Sequence, residues 1–124
     1  MIDRYRSHDT SYSDIVAVPG TGRFLFVAGQ LAFDDDRRLI EGDVTAQAHR
    51  CLDIIETLLR RHSAGLADIV KITTYLVDLE DYPAFEQVRR ERFGEHRPAS
   101  AAVGVADLLF GASIEIEAIA FVAS

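Results

Sequence analysis

In the run Arg23-Phe24-Leu25-Phe26-Val27-Ala28 both alternating sets of a β-strand are apolar: Phe24, Phe26 and Ala28 point one way, Leu25 and Val27 the other. Such a strand is stable only when both of its faces are covered. The chain has 124 residues, 48% of them apolar, which is the size and balance of one domain spanning residues 1–124. At that length folding buries only about two-thirds of the unfolded surface. One apolar face is therefore expected to be covered by another copy of the chain. The preceding run Ile15-Val16-Ala17-Val18 closes at Pro19-Gly20-Thr21-Gly22 and reads, with the strand after it, as a β-hairpin.

Gly42-Asp43 marks a helix start with Asp43 as N-cap. From Val44 the set Val44, Ala48, Cys51, Ile55, Leu58 and His62 steps by four and three, an amphipathic helix of about 20 residues. His62 ends that stripe and is expected to pack there. Gly65 stops the helix, and residues 69–77 alternate as a strand with Val70, Ile72, Thr74 and Leu76 on one side. Acid before Tyr82-Pro83 opens a second helix reaching Phe93-Gly94. Residues 99–106 and 113–122 are two further strands. The order is ββαβαββ: an α+β layer in which both helices cover one sheet face, in the manner of a split βαβ repeat.

The formal charge is −7, from 20 carboxylates against 12 Arg and one Lys, which opposes binding to nucleic acid or to anionic membranes. A single cysteine, Cys51, makes no intrachain disulfide, and no Cys/His spacing suggests zinc. The N-terminal residues form no apolar signal segment and no stretch has the length of a membrane span, so a cytoplasmic location is expected. Gly20-Thr21-Gly22 lacks the lysine and helix of a phosphate cradle. Asp34-Asp35-Asp36 lacks the ligand spacing of a calcium loop and reads as a solvated turn. Arg89, Arg90 and Arg92 alternate with Glu86 and Glu91 and read as a solvated helical face.

Two features stand out. Along residues 99–106 one face carries Ser100, Ala102, Gly104 and Ala106, all small, which admits a close neighbour or leaves a cavity. In the last strand Glu115 and Glu117 share a face of the apolar segment Ile114-Glu115-Ile116-Glu117-Ala118-Ile119-Ala120. Either this is an edge strand whose acids meet water, Lys71 or an arginine, or one acid orients a water in a pocket.

Tyr12-Ser13, Val27-Ala28-Gly29-Gln30, Gly42-Asp43-Val44, Asp68-Ile69-Val70-Lys71-Ile72-Thr73-Thr74, Arg97-Pro98-Ala99-Ser100 and the Ile114–120 segment together resemble the YjgF/RidA family over nearly the whole chain. The resemblance implies a homotrimer with helices outside and small-molecule clefts between subunits. Active members hydrolyse enamines and imines to 2-keto acids and ammonia, with no metal or organic cofactor. An arginine fork grips the substrate carboxylate while a glutamate and backbone groups position a water. By the same resemblance Tyr12 and Glu115 are candidate catalytic residues, Gly29 a backbone site and Phe93 an aromatic cleft wall. The family's Pro-Ala-Arg is Pro98-Ala99-Ser100 here, so Ser100 stands at the carboxylate anchor, and Ala102 stands where a cysteine is usual.

Arg97 has the opposite strand parity to Ser100, which leaves His96, Arg23 or a neighbouring subunit's arginine as possible substitutes. Without a cation at Ser100 the site would prefer neutral or cationic imines. Two readings follow: a hydrolase of enamines or imines with altered preference, or a trimer that binds a metabolite in its cleft without turning it over. Ribonuclease activity, also attributed to the family, is disfavoured by the acidic balance.

Overall fold

The computed structural model describes residues 2–124. Eight elements carry the chain: β1 (Asp3–Tyr5), β2 (Ile15–Ala17), β3 (Gly22–Gln30), α1 (Val44–Arg60), β4 (Ile69–Leu76), α2 (Tyr82–Phe93), β5 (Ala99–Gly104) and β6 (Ile114–Ala123). The main sheet has the order β3-β6-β4-β5. β6 is antiparallel to both β3 and β4, while β4 and β5 are parallel. Thus α1 connects two strands separated by β6, and α2 connects two adjacent ones, the split βαβ arrangement expected from the pattern.

The hairpin does not form. β2 pairs with β1, Arg4 opposite Val16, in a separate two-stranded sheet, and β3 pairs with the C-terminal strand. The turn residues permit a reversal there, but β6 offers β3 a continuous apolar partner, including Phe121 opposite Phe24, which residues 15–18 do not. β6 is consequently an interior strand rather than an edge, so its acids need accounting for on a sheet face.

Asp43 caps α1, its carboxylate accepting the Ala46 N–H at 3.0 Å. The helix buries Val44, Ala48, Cys51, Leu52, Ile55 and Leu59 against Ile72, Leu76, Ile114, Ile116 and Ala118 of the sheet. The stripe ends there: His62 lies beyond the helix and is exposed, with its carbonyl accepting from Arg23, because Arg61 already closes the last turn. Both helices cover the sheet face bearing Leu25 and Val27. The opposite face is open, and Phe24 and Phe26 are 53% and 75% exposed on it. Among the described residues no helix is long and apolar enough to cross a membrane.

Candidate functional site

The six candidate residues fall into two separate clusters, with one left in the core. The first cluster forms at the end of β3. The β3–β6 register breaks between Val27 and Gln30, so Ala28 and Gly29 bulge out of the ladder beside Glu115. The Gly29 backbone lies so close to the Glu115 carboxyl group that a Cβ there would sit 2.9 Å from its Cδ and closer still to Oε2. Only glycine allows this approach without moving the acid. Together they line a hollow of about 360 Å³ walled by Phe33, Phe110 and Arg37. Phe33 and Phe110 meet edge to face at 5.4 Å, and the Arg37 guanidinium lies 5.1 Å over the Phe33 ring.

Cys51 lies below this cluster, its thiol donating to the Gln30 carbonyl at 3.2 Å. Burial pushes that thiol up to about 12, and the Glu115 charge adds to the effect. Across the sheet Tyr75 stands opposite Glu115 and donates its hydroxyl to Glu117. That hydrogen bond first, then desolvation and the two glutamates, raises the Tyr75 phenol above its ordinary range and keeps it protonated. Glu117 therefore has a hydrogen-bond partner, while Glu115 borders the hollow.

The second cluster forms at the far edge of the sheet. Ser100 pairs with the buried Ile72 and so faces the helices, as does Ala102 opposite Thr74. Residues 11–13 run beside the start of β5, held by the Ser13 amide on the Pro98 carbonyl at 2.9 Å and by the Ser13 hydroxyl on Arg97. This brings Tyr12 over α2. Between them lies Arg89, which is 1% exposed. It donates Nε to Ser11 Oγ at 2.8 Å, Nη1 to Ser100 Oγ at 2.8 Å and Nη2 to Tyr82 Oη at 2.6 Å. The rings of Tyr12, Phe85 and Tyr82 flank its guanidinium at 5.0, 5.0 and 5.4 Å.

Arg89 is therefore not part of a solvated face. The Glu/Arg alternation describes Arg90 and Arg92, which pair with Asp9 and Asp53, but the Arg89 position of α2 points inward with Phe85 and Val88. Arg97 is turned away from Ser100, donating to the Gly94 and Thr10 carbonyls. Arg23 is tied to His62 instead. The cation beside Ser100 comes from the helix, a source that strand parity could not reveal.

Phe93 is 4% exposed and belongs to the helix–sheet core, so it forms no cleft wall in the protomer. The aromatic wall beside Glu115 is Phe33 and Phe110. The sequence signal for Phe110 was an apolar run, Leu108-Leu109-Phe110, in a loop that leaves Phe110 72% exposed at a φ of 61°. Gly29 and Ser100 lie on the two outer strands, β3 and β5, which are about 14 Å apart at about 4.8 Å per strand step. Ser100 also faces the helices whereas Glu115 faces the open side. No single protomer brings the two clusters together. Among the described residues no three His, Cys, Asp or Glu side chains are placed to hold a metal ion.

Another hollow, of about 550 Å³, lies elsewhere, along the outer edge of β3 against the end of α1, and contains none of the candidate residues. Its walls include Phe24, Phe26 and Leu58, with Arg61 and His62 at the helix end.

A family model described as Endoribonuclease L-PSP matches residues 6–122. A RutC family protein of Pyrococcus abyssi is 40% identical over 111 residues, 89% of this chain and 85% of its own. A protein of Capra hircus named 2-iminobutanoate/2-iminopropanoate deaminase is 36% identical over 110 residues, 88% of this chain and 78% of its own. Among solved structures, a conserved Rid-family protein from Yersinia pestis superposes with a TM-score of 0.83 at 30% identity, covering 98% of each chain.

Proposed function

The chain belongs to the endoribonuclease L-PSP family, that of the YjgF/RidA proteins, and from that membership we propose that it is a hydrolytic deaminase of small reactive enamines or imines. The observation that carries this reading is the Glu115 carboxylate held against the Gly29 bulge in a hollow with aromatic walls. Glu115 accepts a proton from a water in the hollow, the water oxygen adds to the carbon of the C=N bond, and the nitrogen takes up a proton. The resulting carbinolamine expels ammonia and leaves a carbonyl. The backbone freed by the bulge orients the water, and the aromatic walls limit competing solvent. The substrate oxidation level does not change, so the step requires only water and proton transfers.

The working unit in this reading is a homotrimer whose copies lay their open sheet faces together, placing Glu115 of one copy toward the Ser100 edge of the next. The exposed Phe24 and Phe26 support that assembly.

The test is ammonia release from imines generated in situ by an amino-acid oxidase. We expect release above the spontaneous rate for the native protein and a fall of about 100-fold or more in Glu115→Gln. Equal rates in both proteins would remove Glu115 from the mechanism. Ligand-dependent thermal shifts without ammonia from any imine would instead support a metabolite-binding trimer.

A further inference from the structure

Arg89 is the group that the proposed reaction leaves without a task. Arginine is a permanent cation, this one is 1% exposed, and among the described residues no carboxylate pairs with it, although Arg90 and Arg92 on the same helix both have acid partners. A buried charge without a counter-charge is costly to keep. Among the described residues it is offset only by three neutral hydroxyls and three ring faces.

A guanidinium donates and never accepts. The hydroxyl oxygens of Ser11, Tyr82 and Ser100 must therefore all be acceptors toward Arg89, which leaves each hydroxyl proton free to donate elsewhere. Among the described residues none of the three has a second partner. Among the described residues two of the five guanidinium N–H groups also have no acceptor. On the same face of β4 as Ile72, the strand partner of Ser100, Thr74 is paired with Ala102, and its buried Oγ1 has no hydrogen-bond partner among the described residues. The locus thus holds a surplus of positive charge and of hydrogen-bond donors, and it lacks an anionic acceptor. Ser11 and Thr74 are sealed, whereas Ser100 lies partly open on the edge strand, next to the small Ala102.

We propose that Ser100 and Arg89 form the carboxylate-recognition locus of this chain, with Ser100 touching the ligand and Arg89 acting through it as a positioning and specificity-determining residue. The Nη1–H···Oγ bond fixes the Ser100 oxygen so that its O–H points outward, and the buried cation supplies the attraction. The inference rests on the hydrolase reading and narrows its substrate class to imines or enamines that carry a carboxylate. It also removes the premise for a preference for neutral or cationic substrates, because the surroundings of Ser100 do contain a cation.

The test has two arms. The first compares kcat/KM for a 2-imino carboxylate with that for an uncharged imine of equal size, in the native protein, Ser100→Ala, Arg89→Met and Arg89→Lys. The second measures binding of pyruvate and of its uncharged methyl ester and needs no turnover. We expect the native protein to favour the charged member of each pair. In Ser100→Ala and Arg89→Met the preference should fall about tenfold or more, through KM rather than kcat, with partial recovery in Arg89→Lys. Should Arg89→Met fail to fold, Ser100→Ala carries the comparison, since it removes one partly exposed hydroxyl. An unchanged preference in folded variants, or equal losses on both substrates, overturns the proposal. So does its disappearance in Arg37→Ala instead, which would place recognition at the Glu115 hollow. If the native protein releases no ammonia from either imine, the hydrolase reading fails while the pyruvate arm still decides the role of Arg89.

Discussion

Gly29 separates a role in chemistry from a role in folding, because the group it must accommodate is the candidate base itself. A Cβ at this position meets the Glu115 carboxyl rather than packed backbone, and Glu115 can swing aside. We therefore expect Gly29→Ala to lose about as much ammonia release as Glu115→Gln while melting within about 4 °C of the native protein. A large loss of stability with turnover retained per folded molecule would show that the close approach serves only the sheet. Cys51 lends itself to a pH argument. Its thiol is raised in the folded state to about 12 from an ordinary 9.0, so above pH 9 the unfolded chain releases a proton that the folded chain retains. Stability then falls as pH rises from about 9 to about 12, by up to about 1.4 kcal/mol per pH unit. Urea unfolding at pH 8 and pH 10.5 should show this loss in the native protein and a smaller one in Cys51→Ala, and a thiol reagent at pH 8 should label Cys51 only after unfolding.

At the scale of elements, what was legible in the sequence was what depends on neighbours in the chain. The four-and-three spacing from Val44 located α1, and Asp43 caps it as expected. Replacing Asp43 by Ala removes the acceptor for the Ala46 N–H and should lower stability by about 1 kcal/mol, leaving ammonia release per folded molecule unaltered. A chemical denaturation midpoint with an unchanged slope checks this, and a change in slope would point instead to an altered unfolded state. The alternation in residues 69–77 likewise gave β4 and the face it buries. Contacts between distant segments were not legible. A permissive turn at residues 19–22 suggested a local hairpin, but the choice of partner for β3 depends on a strand at the opposite end of the chain. The same reason hid Arg89: its sequence neighbours are acids and bases of a water-facing helix surface, while the residues that bury it, Ser11, Tyr12 and Ser100, come from two other segments. For the site, Gly29 and Glu115 do adjoin. Phe93 instead proved to be core, because the inward stripe of α2 continues to its last turn.

For the whole molecule, two independent arguments call for further copies of the chain. The first is the open sheet face: Phe24 and Phe26 lie 6.2 Å apart between ring centres, Phe24 also packs at 5.1 Å against Phe121 with the ring planes inclined at 60°, and the two phenylalanines remain more than half exposed. Covering an exposed Phe is worth about 1.5–3 kcal/mol, and β3 is besides a nine-residue edge strand, a length that isolated proteins seldom leave bare. The second argument is chemical. The acid hollow and the Arg89–Ser100 locus lie at opposite edges and on opposite faces of one sheet, so a substrate that uses both must sit between copies. The two arguments are joined by a single substitution, Phe26→Asp, which puts a charge on the most exposed aromatic of that face and leaves Glu115, Arg89 and Ser100 in place. We expect light scattering to report a native mass three times the 13.8 kDa of one chain and a variant mass near that of one chain. Far-ultraviolet circular dichroism should be preserved in the variant, and ammonia release from a 2-imino carboxylate should fall to the spontaneous rate. A folded, single-chain Phe26→Asp protein that still turned over the substrate would show that one protomer holds a complete site, and the division of labour between neighbouring copies would then be wrong even if the trimer itself were real.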